Sequence, residues 1–183
     1  MTHPDIKVLF EPRVIAARVQ ALGQRLQREL AREDPLVLSL LGGSVVFLAD
    51  LIRAISSPLR YELMHVEYEP GRGEELDIHY PIPIDVKGES VLVVKDVVSS
   101  AVIENYLASQ LQQAGAGRVR FAVLVDLPKE RKAHFQADYS VFTTERSGRL
   151  VGYGMKHDGR WGHLPYVGFL ADVGGESRGL EPG

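Results

Sequence analysis

Apolar residues recur at helical spacing near the start of the chain. Val14, Val19, Leu22, Leu26 and Leu30 lie three to five positions apart, with Arg18, Gln20, Arg25, Gln27 and Arg28 between them. That stripe predicts an amphipathic helix over 11–32, opening on Glu11-Pro12 with acid and proline in its first turn. Pro35 ends it, and Leu36-Val37-Leu38-Ser39-Leu40-Leu41 reads as a short strand apolar on both faces. Gly42-Gly43 is a sharp turn, a second helix follows over 45–55, and a strand over 59–66 comes after Ser56-Ser57-Pro58.

The apolar signal vanishes between Glu67 and Asp77. There Tyr68-Glu69-Pro70-Gly71-Arg72-Gly73-Glu74-Glu75 predicts a mobile loop or long hairpin, with a solvated charged face at 72–75. Pro81 and Pro83 confine 78–84 to an edge strand. The chain then becomes regular: a buried strand at Val91-Leu92-Val93-Val94, a helix over 99–114 closed by Gly115, and a buried strand over 119–125. Val141-Phe142, Leu150-Val151 and Val167–Leu170 read as further strands. One domain over 1–173 accounts for all of this, and 174–183, rich in glycine and charge, is expected as a flexible tail. Strands apolar on both faces, alternating with helices, predict an α/β fold with a central parallel sheet. Ligands in such sheets bind beyond the carboxyl ends of the strands, so the chemistry belongs just after Leu41, Val94 and Val125.

Composition narrows the class without choosing a function. The 183 residues are 45% hydrophobic and 25% charged, the mix of a globular protein with a real core. Lysine and arginine number 21 against 24 acids, a net charge of -3, which speaks against a nucleic-acid partner. No apolar run approaches the ~20 residues of a membrane span and residues 1–5 lack a signal-peptide pattern, so a cytoplasmic protein with no membrane partner is expected. There is no cysteine, which excludes disulfides, thiolate metal sites and a cysteine nucleophile.

The three strand ends carry a resemblance. The run from Leu38 through Gly42-Gly43-Ser44 to Leu51 resembles the first loop and helix of hypoxanthine-guanine phosphoribosyltransferases. Val91-Leu92-Val93-Val94-Lys95-Asp96-Val97-Val98-Ser99-Ser100-Ala101 sits where that family carries its phosphoribosyl pyrophosphate signature. Val123-Leu124-Val125-Asp126-Leu127-Pro128-Lys129, followed by Ala137-Asp138-Tyr139, is similar to its purine-binding segment. Val151-Gly152-Tyr153-Gly154-Met155 and Leu164-Pro165-Tyr166-Val167-Gly168 match its carboxyl-terminal hood. The resemblance implies the type I phosphoribosyltransferase fold: a central parallel sheet flanked by helices, with a hood built from the N-terminal segment and about 145–172. It also implies purine salvage, transfer of a phosphoribosyl group to a purine with release of pyrophosphate, and self-association as a homodimer or homotetramer.

The residues that the resemblance assigns to the reaction are replaced. Of two acids that bind the ribose hydroxyls, the first is Lys95 and only Asp96 remains. In the loop that cradles the 5'-phosphate, the acid is Ser99, the glycine is Ala101 and the last hydroxyl is Ile103, with Ser100 and Val102 between. Leu41 stands where a lysine precedes the glycine turn at Gly42, and Leu127 stands where a lysine reads the purine. The stacking aromatic falls at Arg149, beside Leu150; a magnesium-holding aspartate falls at Lys156, and a pyrophosphate-binding arginine at Gly162. In the mobile loop the Ser-Tyr pair is Glu67-Tyr68.

These replacements predict a degenerate site. A lysine roughly 5 Å from Mg²⁺ costs about 6–7 kcal/mol at an effective dielectric of ~20. The expectation is therefore a catalytically inactive relative that takes phosphate or a phosphorylated small molecule, with no cofactor. An active transferase with a rearranged site, which would need Mg²⁺, is the alternative. Ser99 and Ser100 read either as helix N-caps or as donors to a bound anion. Lys95 and Lys156 read either as anion-facing charges or as partners of Asp96 and Asp158. The histidines show no metal spacing, Trp161 and Tyr166 read as hood packing, and Asp126 and Asp138 as loop-fixing residues.

Overall fold

The computed structural model describes residues 6–68, 76–79, 84–146 and 148–170. In chain order the elements are β1 (Ile6–Phe10), α1 (Pro12–Leu30), β2 (Leu36–Leu40), α2 (Val45–Arg53), β3 (Arg60–Tyr68), β4 (Leu76–His79), β5 (Ser90–Val98), α3 (Val102–Gln113), β6 (Arg118–Asp126), β7 (Tyr139–Thr143), β8 (Leu150–Val151) and β9 (Val167–Leu170), with a 3-10 turn at Pro128–Glu130. Strands β4-β3-β2-β5-β6-β7 form one sheet in that order. β3, β2, β5, β6 and β7 run parallel, and β4 closes the edge antiparallel to β3. A smaller antiparallel sheet, β1-β9-β8, makes the hood.

The sheet is parallel because its strands are buried on both faces. Leu92, Val94, Ala122 and Leu124 pack under α1 and α2, while Val91, Val93, Phe121 and Val123 pack under α3. Each buried valine, leucine or phenylalanine among them contributes roughly 1.5–3 kcal/mol. The stripe of α1 that meets the sheet is Ile15, Val19, Leu22, Leu26 and Leu30. Val14, which the spacing placed on that stripe, is 43% exposed. Gly23 lies in the middle of α1 because a Cβ there would stand 2.6 Å from the Ala54 side chain at the end of α2.

Two segments, β5 and β1, differ from their sequence reading, and the polar excursion takes the hairpin form which that reading allowed. β5 runs on through Lys95 and Asp96 to Val98, because its backbone pairs with β6 whatever its side chains (Lys95 opposite Val123, Val97 opposite Val125). The polar excursion is entered by β3 and left by β4, with His65 opposite His79 in an antiparallel pair. Its charged face at 72–75, Pro81 and Pro83, and the tail lie outside the described residues. The N-terminal strand β1, not expected as a strand, pairs with β9 at Ile6 opposite Leu170. Phe10 at its end stacks on Phe142 of β7 with ring centroids 3.8 Å apart, tying hood to sheet. Among the described residues no helix is long and apolar enough to cross a membrane.

Candidate functional site

The parallel register brings three turns together at the carboxyl ends of β2, β5 and β6. Leu41 leaves β2 with its N–H donating to the Met64 carbonyl at 2.7 Å, and Gly42 turns the chain on φ 130°. Gly43 then passes so close to β5 that a Cβ would overlap the Asp96 carboxylate. The buried Ser44 fixes that carboxylate: its Oγ accepts the Asp96 N–H at 3.2 Å and lies 3.5 Å from Oδ1. Lys95 Nζ donates to the same Oδ1 at 2.7 Å, and each of the two side chains is 16% exposed. The remaining family acid is thus already neutralised from within the chain.

A residue the sequence did not flag stands behind this pair. Glu104, in the first turn of α3, is 4% exposed. Burial pushes its carboxyl above the usual carboxylate range, against the opposing pull of the Lys95 charge and of its own backbone N–H. An acid in a first helical turn ordinarily reads as a solvated partner of the helix dipole, so nothing in the pattern marked it.

The 99–101 turn is held tightly. Ala101, fully buried, adopts the left-handed region at φ 66°, a costly conformation for a residue with a Cβ. It is also the N-cap residue of α3, so neither serine caps the helix as the sequence reading allowed. Ser100 Oγ instead accepts the Val102 N–H at 3.4 Å, and the Ser100 carbonyl accepts the N–H groups of Lys132 and Ala133 at 3.0 and 3.2 Å. Arg131 donates to the Val98 and Ser99 carbonyls at 2.9 and 2.8 Å while paired with Asp126. Asp138 accepts the Phe121 N–H at 2.8 Å. Both aspartates fix local geometry, as expected.

A pocket of about 380 Å³ brings together Asp96, Ser99, Leu127, Leu150 and Lys156. Leu127 borders it but is only 3% exposed, so this base-side position belongs mostly to the core, where its apolar side chain packs. Arg149 stays outside the pocket's lining. Its Nη1 lies 2.9 Å from His157 Nε2, which is 3.3 Å from Asp158 Oδ2. Lys156 therefore does not pair with Asp158, unlike the structural alternative, whereas Lys95 does pair with Asp96. Val102 and Ile103 present exposed apolar side chains beyond the turn. Among the described residues no three acids or histidines converge to hold a metal ion. With Lys95 on Asp96 and Lys156 across the pocket, the residues present do not fit magnesium.

Comparison with known proteins locates this architecture. Residues 8–158 match the family model of the phosphoribosyl transferase domain. The chain is 35% identical over 167 residues to the hypoxanthine-guanine phosphoribosyltransferase of Lactococcus lactis, covering 90% of each chain. It is 31% identical to that of Bacillus subtilis, covering 93% of this chain and 96% of the relative. Among solved structures, a hypoxanthine phosphoribosyltransferase from Staphylococcus aureus superposes with a TM-score of 0.84 at 28% identity, covering 92% and 93%.

Proposed function

The chain belongs to the hypoxanthine-guanine phosphoribosyltransferase family, and we propose that it binds a phosphorylated, ribonucleotide-like anion in the family's cleft, without magnesium and without transferring the phosphoribosyl group. One observation carries this reading: the 2.7 Å Lys95–Asp96 ion pair where the family resemblance puts two acids. The paired ammonium repels the divalent cation that pyrophosphate release needs, and Lys156, which lines the pocket and makes no ion pair among the described residues, supplies positive charge for a phosphate. The rigid 99–101 turn adds backbone N–H groups at the start of α3, a favourable place for an anion. By kinship the chain also self-associates as a homodimer or homotetramer.

The second reading is an active purine phosphoribosyltransferase with a rearranged site. Taken alone, the comparisons favour it over the first, because relatives covering nine-tenths of the chain bear that enzyme's name. One pair of measurements separates them. Pyrophosphate release is followed from phosphoribosyl pyrophosphate with hypoxanthine, guanine, xanthine or adenine, with magnesium or with a chelator. Phosphate and nucleoside monophosphates are then titrated calorimetrically in chelator, on the wild type and on Lys95→Glu. The binding reading expects no turnover, and affinity that falls with salt and with Lys95→Glu. Turnover abolished by Asp96→Ala establishes the transferase instead.

A further inference from the structure

A second and larger cleft, of about 750 Å³, opens between the turn into α2 and the hood turns at 154–163. That is within the ~300–1,000 Å³ of sites that enclose an organic ligand. Its two walls are apolar. Val45 and Val46, on the first turn of α2, are 40% and 38% exposed. Facing them is Trp161, half-buried in the hood on a left-handed backbone with φ 72°. The Leu164 N–H donates to the Trp161 carbonyl at 3.1 Å and closes that turn.

The rest of the lining is backbone and positive charge. Lys156, Arg160 and His163 face the cleft, and no aspartate or glutamate lines it. Neither Lys156 nor Arg160 enters an ion pair among the described residues. Of the residues lining this cleft, only Lys156 also lines the smaller pocket. A wholly polar pyrophosphate would leave the exposed side chains of Val45 and Val46 unmatched. A ligand with one ring and one anionic group would match every wall.

We propose that this cleft binds an aromatic anion, its ring between Val46 and Trp161 and its phosphate or sulfonate on Lys156 and Arg160. The inference stands whether or not a phosphate occupies the 99–101 turn. Trp161 is the only tryptophan in the chain, so its emission reports occupancy directly. Phenyl phosphate, inorganic phosphate and pyrophosphate are titrated in chelator with excitation of Trp161. Phenyl phosphate should change the emission saturably and bind at least about tenfold tighter than either inorganic anion, the gain from burying one ring. Val46→Asp and, independently, Val45→Asp should each remove that preference, with far-ultraviolet circular dichroism unchanged; Lys156→Glu should weaken all three anions. Ser100→Asp, which places charge on the other site, should abolish phosphate binding at the turn and leave the Trp161 response to phenyl phosphate. Equal affinities for phenyl phosphate and pyrophosphate, no saturable change in emission, or folded Val45 and Val46 variants that keep the preference would each overturn the assignment. Absence of phosphate at the turn in the wild-type chain, with an intact Trp161 response, would leave it standing while failing the phosphate reading of the first site.

Discussion

The two ends of the central sheet treat charge in opposite ways. At the amino-terminal ends of the strands, cations close on acids. Arg120 Nη2 lies 2.7 Å from both oxygens of Glu33, which also accepts the Ser90 hydroxyl at 2.9 Å. Arg60 donates to Glu89 at 2.8 and 3.2 Å and to the Asp34 carbonyl at 3.0 Å. At the carboxyl ends, Lys95 is matched by Asp96, but Lys156, Arg160 and His163 face open clefts with no acid among the lining of the larger one. Charge that holds strands together is paired within the chain, although Arg120 Nη1 is buried with no hydrogen-bond partner among the described residues. Charge left open at the other end is what the proposed anions would complete.

The largest effect that tests this contrast is Arg120→Met. Arg120 is 4% exposed, and its loss leaves a partly covered Glu33 carboxylate without its main donor. The expected cost is about 2–3 kcal/mol, read as a lower urea midpoint with an unchanged slope, discounted from a fully buried pair because Glu33 keeps solvent contact. The pH dependence has a definite sign. The Arg120 hydrogen bond, then that of Ser90, holds the Glu33 carboxyl below its usual range. The stability it supplies is present above the unfolded carboxyl's value near ~4.3 and is lost as pH falls through the folded value. The gap between wild type and Arg120→Met should therefore narrow in acid. A variant as stable as wild type at neutral pH would end the contrast.

Arg131→Ala sharpens the comparison from the other end. This cation lies at the carboxyl ends of the strands yet behaves like those at the amino ends, bound to Asp126 and to two carbonyls of the 98–99 backbone. Its removal should cost about 1–3 kcal/mol, because the Asp126 carboxylate and both carbonyls lose their donor. It should also weaken phosphate at the 99–101 turn by loosening the turn without touching the anion. Unchanged stability and affinity together would show that the turn is held by its remaining backbone bonds.

A smaller change, of opposite sign, is expected at Glu104. Burial raises its folded value above the unfolded one, so its contribution is favourable below the unfolded value and is lost as pH rises through the folded one. Glu104→Gln should raise the melting temperature at pH 7.5, and the gain should disappear near pH 4. A lower melting temperature at pH 7.5 would show that the attraction of Lys95 outweighs burial.

The parts of the molecule that were legible from sequence are those whose physics is repetitive. Strands such as Val91 to Val94 are apolar on both faces because helices cover both, and that pattern survives in one dimension. β1 was missed because its partner, β9, lies some 160 residues away and five residues of modest alternation carry little signal. β5 was cut short because Lys95 and Asp96 break the apolar run while the backbone ladder with β6 continues. In the site, the resemblance located Asp96, Ser99, Leu127, Leu150 and Lys156, which the structure gathers around one pocket. It could not supply the left-handed Ala101, the burial of Leu127 or the buried Glu104, since each depends on what packs against it from elsewhere in the chain. The larger cleft was missed for a similar reason. Trp161 reads as hood packing and Val45 and Val46 as the start of a helix, and only the approach of the hood to the start of α2 sets them around one space.

Lys156→Gln gives the smallest effect on stability and, through its smallness, the sharpest check on the open end of the sheet. The side chain is exposed and makes no ion pair among the described residues, in contrast to Arg120 with its carboxylate partner. Substitutions at such positions usually change stability by no more than about 0.5 kcal/mol. Local geometry gives the same expectation: the Lys156 stem runs beside Gly162, where a Cβ would stand 2.9 Å from its Cγ, and glutamine keeps that stem while removing the charge. The urea midpoint should stay at the wild-type value as anion affinity falls, and the remaining affinity should depend less steeply on salt because one charged contact is gone. A loss of stability comparable with that of Arg120→Met would mean that Lys156 holds the hood in place, making the carboxyl end of the sheet as closed in charge as the amino end.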